Sequence, residues 1–212
     1  IVGSAQAVNI NPDGLGQVLI YPYYTVNSGN QTLLSVVNTT DEAKAVKVRF
    51  KEGKNSREVL DFNLYLSAWD VWTAAIVDDV VPCTGLDDCA APTLLVNDTS
   101  CTVPYLYGNG GSQPFLPFGM NDTGVEDEYG PITRATEGYF EMIEMGTLVG
   151  ESAAAATHVS PGIGDIGNDG PAMPADCESL VDAWTVFDDK VGDQGYWLDS
   201  PTQDIEAPSG GL

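Results

Sequence analysis

The sequence predicts a mainly β protein, an antiparallel β-sandwich with long loops and one short C-terminal helix. Three observations carry this expectation. Apolar and polar residues alternate through 32–76: Leu34 and Val36 against Ser35; Val46, Val48 and Phe50 against Lys47, Arg49 and Lys51; Leu60, Phe62, Leu64 and Leu66 against Asp61, Asn63 and Tyr65. Period-two alternation gives each strand one dry and one wet face. The breaks, Asn38-Thr39-Thr40-Asp41 and Glu52-Gly53-Lys54-Asn55-Ser56, are turn formers. Strands with one apolar face need a second sheet to cover it.

Taken in order, the chain opens with Ile1–Ile10, which has two readings. Ala5-Gln6-Ala7 has the small-x-small form of a signal-peptidase site, so Ile1–Ala7 is a candidate signal-peptide remnant. Alternatively, the apolar Ile1, Val2, Val8 and Ile10 suit an added strand, paired at home or donated to a neighbouring copy. Asn11-Pro12-Asp13-Gly14 is a turn. Gly16–Tyr24 is a strand in which Pro22 marks an edge or bulge. Trp69 and Trp72 are three apart and face opposite sides of a pure strand; one belongs in the core, and an exposed one is a candidate ligand-binding residue. The pattern loosens over 78–136 into acidic loops, with Phe115-Leu116-Pro117-Phe118 as an apolar anchor. Gly138–Leu148 returns as a strand, and Ser152–Thr157 is an alanine-rich helical turn. The helix is expected over Pro174–Phe187, with Cys177, Leu180, Val181 and Trp184 on one face and Pro174 in the first turn. Residues 149–212 otherwise read as acidic loops on a single domain spanning 1–212. The turn-rich tail shows no helix cap or closing strand, which suggests a cut or processed chain.

The net charge of −23 argues against nucleic acid as a partner, because phosphate contacts need clustered Lys and Arg. No stretch approaches the roughly 20 apolar residues of a membrane-spanning helix. Charge is unevenly placed. Residues 1–60 hold six basic groups against five acids, whereas 61–212 hold only Arg134 and Lys190 against 26 acids. A basic strand surface on an acidic remainder is a device for head-to-tail attraction between copies, or simply the wet face or edge of one strand.

The even set of Cys83, Cys89, Cys101 and Cys177 lacks zinc-site spacing and suggests disulfides, hence an oxidising compartment. A local clip of Cys83 with Cys89 and a long-range staple of Cys101 with Cys177 is the favoured one of three pairings. A serine or cysteine hydrolase would need His158, the only imidazole, beside a nucleophile, and no Gly-x-Ser-x-Gly elbow is present. His158 reads better as a helix-end residue or a structural hydrogen-bonder. Calcium takes oxygen ligands from clustered acidic loops. Asp165, Asn168 and Asp169 form one candidate group, Asp122, Glu126 and Asp127 a second, and Asp87-Asp88 a third; none matches an EF-hand loop.

The segments GQVLIYPYYTVNSGNQTLLSVVNTTDEAKAVKVRFKEGKNSREVLDFNLYLSAWDVWTAAI, EGYFEMIEMGTL and APSGGL resemble an uncharacterised family of secreted proteins from Gram-negative, largely aquatic bacteria. The resemblance implies export and supplies no catalytic residues. The strand-turn-strand run is also similar to immunoglobulin-like sandwiches, by fold analogy only. The expectation is an extracellular structural protein at the cell surface that assembles with copies of itself as a filament, tube or layer. The alternative is a secreted, calcium-dependent ligand- or glycan-binding module. A carboxylate-based hydrolase is a third and weaker reading.

Overall fold

The computed structural model describes residues 10–83, 86–116, 134–160, 170–184, 195, 197, 200 and 202–212, with only the backbone for those of 80–91. Two antiparallel sheets pack face to face. The first has the order β1 (Val18–Thr25), β9 (Glu137–Leu148), β3 (Ala43–Glu52), β4 (Glu58–Leu66) and β7 (Cys101–Val103), with β12 (Ile205–Glu206) added to the end of β9. The second has the order β2 (Thr32–Val37), β5 (Val71–Cys83), β6 (Leu86–Leu95) and β8 (Ser112–Pro114). A small ladder joins β10 (His158–Val159) to β11 (Met173–Pro174). Two helices, α1 (Gly150–Ala156) and α2 (Cys177–Asp182), cover part of the first sheet's outer face. The antiparallel sandwich expected from the alternation is thus present; the likeness to immunoglobulin-type sandwiches stays an analogy.

The alternating side chains build the core as the pattern requires. Phe50 stacks on Phe140 with ring centroids 5.1 Å apart and meets Phe115 at 5.3 Å, while Phe62 packs on Trp72 at 5.7 Å. Leu34, Val36, Ile76 and Leu94 face them from the second sheet. Pro22 sits where β1 shifts register against β9, the bulge its missing N–H favours. The opposite face of the first sheet carries a charged ladder at one end. At the other end Ala43, Ala45, Tyr65 and Leu148 pack under α1, α2 and Trp197. The disulfide from Cys101 on β7 to Cys177 at the start of α2 ties that layer down.

Four expectations are corrected. Residues 78–95, taken for loops, continue β5 and form β6, a hairpin whose acidic pairs hid its alternation. The helix is shorter than Pro174–Phe187: Asp176 caps it by accepting the N–H of Ser179, and Pro174 lies one step earlier in β11. There are two helices among the described residues rather than one, because the alanine-rich turn completes a helix. The tail does contain a closing strand, β12, paired with Thr147 and Leu148. No helix among the described residues is long and apolar enough to cross a membrane.

Two buried carboxylates organise this frame. Glu52 ends β3 and accepts the backbone N–H groups of Lys54, Asn55 and Arg57, with Arg134 at 3.2 Å. Glu144 on β9 meets Lys44 on β3 at 3.1 Å, and both side chains are fully buried. It also accepts the N–H groups of Ser209 and Gly210 at 3.0 and 2.8 Å.

Removing one partner of a buried pair strands the other charge, so Glu144→Ala is expected to lower stability by about 3–5 kcal/mol in denaturant unfolding. Burial pushes the Glu52 carboxyl up, but the three N–H donors and Arg134 outweigh it and hold the group below its ordinary range. A depressed folded pKa gives stability that is present above the unfolded value and is lost as pH falls through the folded one. Acidification below roughly pH 4 is therefore expected to lower the melting temperature of the native protein more steeply than that of Glu52→Gln.

Candidate functional site

Three places bring together groups that sequence spacing keeps apart. The first is an open flank of the sandwich, where β1 and β2 are the edges of their two sheets. On β2, the N–H of Asn38 bonds Asp70 O on the β5 side at 2.8 Å, whereas Ser35 O accepts Tyr21 Oη from the other side at 3.0 Å. Alternate residues of a strand turn their backbone groups to opposite sides. Leu33, Ser35 and Val37 therefore point theirs outward. On β1, Gln17 O accepts the N–H of Glu144, and Gly16 pairs in both directions with Leu212. Val18 and Ile20 accordingly face outward beyond that plug. The flank is apolar as well as open: Leu33 is 80% exposed and Ile20 67%. The sandwich's opposite borders, β7 and β8, are three residues each.

The second place surrounds His158. Its Nδ1 lies 2.9 Å from Ser67 Oγ and 3.3 Å from Asp70 Oδ2; its Nε2 lies 3.2 Å from Thr99 Oγ1. A hydrolytic triad needs the nucleophile on the ring nitrogen opposite the carboxylate. Here Ser67 shares Nδ1 with Asp70, and the hydroxyl at Nε2 belongs to Thr99, which donates to Ala172 O at 2.7 Å. Ser67 also donates to Asp70. The geometry is that of a tether joining the turns before β5 and β7 to β10, the structural role expected of His158.

The third place is a cavity of about 340 Å³ on the outer face of the first sheet. Ala45, Tyr65 and Met145 line it from β3, β4 and β9, and Ile205, Glu206 and Ala207 from β12 and beyond. Trp184 and Trp197 complete its aromatic side, with ring centroids 5.4 Å apart; Trp197 in turn stacks on Tyr65 at 5.6 Å.

Against these sites the residues singled out from sequence fall as follows. Trp72 is core, and Trp69 is 65% exposed in a tight turn. Ile10 is exposed, whereas Ile1, Val2 and Val8 lie outside the described residues. So do all six candidate calcium ligands, Asp122, Glu126, Asp127, Asp165, Asn168 and Asp169. The side chains of Cys83, Cys89, Asp87 and Asp88 are likewise outside them. Among the described residues no group of three or more His, Cys, Asp or Glu could hold a metal ion. The basic strand surface is not an open positive patch. Lys47 pairs with Asp61, and Arg49 with Glu58 and Glu141 at 2.7 and 3.2 Å; Lys51 lies 3.9 Å from Glu58. These pairs are those of a strand's wet face. Sequence reasoning missed the aromatic cavity. Trp184 was placed on a helix face, and nothing near Trp197 advertised its partners 13 and 132 residues away.

No protein-family model, curated protein or solved structure matches this chain.

Because His158 ties two turns to β10, His158→Ala is expected to lower stability by about 1–3 kcal/mol. Hydrogen exchange should show faster opening of residues 97–100 in that variant.

Proposed function

We propose that this protein is an extracellular structural subunit that adds to copies of itself along the open flank, building a filament, tube or layer at the cell surface. The N-terminal segment Ile1–Ile10 is the added strand, and the β2 edge of a neighbouring copy receives it. One observation carries this reading: Leu33, Ser35 and Val37 turn their backbone groups outward on an exposed, apolar edge. Such an edge is a template for another strand. The incoming strand would gain a ladder of main-chain hydrogen bonds, the source of affinity in strand addition. Ile10, which ends this segment, is 89% exposed. The Cys101–Cys177 disulfide is compatible with an oxidising, extracytoplasmic compartment.

The rival, a secreted binding module, is favoured by a different observation, the cavity beside Trp184 and Trp197. Its aromatic side is built from Trp184 and Trp197 rather than from Trp69 and Trp72; Trp72 is buried and Trp69 is exposed.

Two variants test the assembly reading. Deleting Ile1–Ile10 removes the donor. Ser35→Pro removes an outward N–H and leaves the β2–β5 ladder intact. Both are expected to abolish polymers seen by electron microscopy while circular dichroism and the melting temperature stay near native. Polymers that persist in both variants, or a native protein that stays monomeric at high concentration in light scattering, would overturn strand addition.

A further inference from the structure

The cavity beside β12 has a chemistry narrower than its size suggests. Both indole N–H groups around it are committed inward. Trp184 Nε1 donates to Tyr65 Oη at 2.5 Å, and Trp197 Nε1 donates to Gln203 O at 2.8 Å. With their donors spent, these rings offer an entering molecule only their faces, where the aromatic quadrupole is negative. Trp184 is the exposed ring of the three, at 37%, while Trp197 and Tyr65 are almost fully buried. The floor is Ala45 and the thioether of Met145, and Ile205 and Ala207 form the far wall. Among the described residues of the lining, Glu206 is the only charged side chain, and Thr202 and the hydroxyl of Tyr65 are polar.

We propose that this cavity binds a small organic ammonium ion of the trimethylammonium type, seated on the face of Trp184 and neutralised by Glu206. Each element of the lining selects for that class. A quaternary ammonium needs no hydrogen-bond acceptor shell, and its methyl groups match an apolar floor. Its positive charge is attracted both by an aromatic face and by the carboxylate. An anion meets the opposite conditions: no free indole donor, a carboxylate in the wall, and a molecule carrying −23 overall. A sugar would leave most of its hydroxyls facing carbon, because the few polar groups among the described lining residues cannot satisfy them. The volume lies within the range of small-ligand sites.

The test uses the intact chain and choline as the probe, with 3,3-dimethyl-1-butanol as its neutral carbon isostere. Saturation-transfer NMR reads magnetisation passing from protein to the ligand methyl groups. Saturable binding of choline is expected, with the isostere binding markedly more weakly at the same ionic strength. Trp184→Leu keeps an apolar wall but removes the π face; Glu206→Gln removes the charge from an exposed side chain. Each is expected to weaken choline binding roughly five- to thirtyfold. Circular dichroism confirms that each variant is folded, and should Trp184→Leu disturb the aromatic stack, Glu206→Gln carries the test. Absence of saturable choline binding overturns the proposal. Equal binding of choline and its isostere, or unchanged affinity in Glu206→Gln, does so as well.

Discussion

A carboxylate sealed inside a protein is unfavourable unless charge and hydrogen bonds replace the water it has lost. Glu144 is such a group, and the way its needs are met sets the course of the chain around it. Lys44 crosses from the adjacent strand to pair with it, and that ammonium is completed by Glu42, Thr147 and Ser209. The remaining acceptor capacity of Glu144 draws in the N–H groups of Ser209 and Gly210, so the tail must pass here. Gly211 then turns with φ +91°, where a Cβ would lie 2.4 Å from the Thr40 methyl group. Only after that turn can Leu212 bury its side chain between the sheets and pair its backbone with Gly16. One ionised group thereby joins β9, β3 and the C-terminal segment, and it also decides where the plug on β1 stops.

That stopping point explains the asymmetry of the two flanks. An edge strand invites pairing unless it is short, bulged, covered, or interrupted by proline or charge. The far flank uses shortness: β7 and β8 have three residues each, and β7 is stapled to α2. On the near flank β1 uses Pro22 and its register shift, and Leu212 covers Gly16, two residues before the strand begins. The strand β2 uses none of these devices. Its sequence, Thr-Leu-Leu-Ser-Val-Val, holds no charge and no proline, and its outward backbone groups stand between exposed apolar side chains. Tyr21 satisfies one carbonyl there. A protein that protects three of its four borders and leaves the fourth flat and apolar has a border suited to pairing with another chain.

The parts of this fold that were legible are those written in side-chain alternation. The runs around Val46–Phe50 and Leu60–Leu66 define their strands, and Pro22 marks its own bulge. Alternation does not say which strands pair. Thus β2 precedes β3 by a short turn yet belongs to the other sheet, joined to β5. The hairpin of β5 and β6 was hidden because Asp78-Asp79 and Asp87-Asp88 break the period-two signal. The tail was illegible for a different reason. Ser209, Gly210 and Gly211 have almost no side chain to pattern, and what anchors them is backbone N–H donation to a residue 65 positions away. His158 likewise meets Ser67, Asp70 and Thr99 only because the topology stacks their turns.

The two exposed tryptophans show why exposure alone is a weak guide to a binding face. Trp69 is the more exposed, in a turn at φ +60° whose N–H bonds Thr40 O, but no aromatic ring among the described residues packs against its indole. Trp184 shows less surface, yet its N–H is pinned to Tyr65 and its ring leans on Trp197. A side chain that must be immobilised by the ligand subtracts that ordering from the affinity; one already held in place does not. Tyr65 is set by the pleat of β4 and fully buried, so the orientation of Trp184 is inherited from the sheet itself. The recognition surface with the better physical foundation is therefore the half-hidden ring, because the strand beneath it has already done the ordering that a ligand at Trp69 would have to impose.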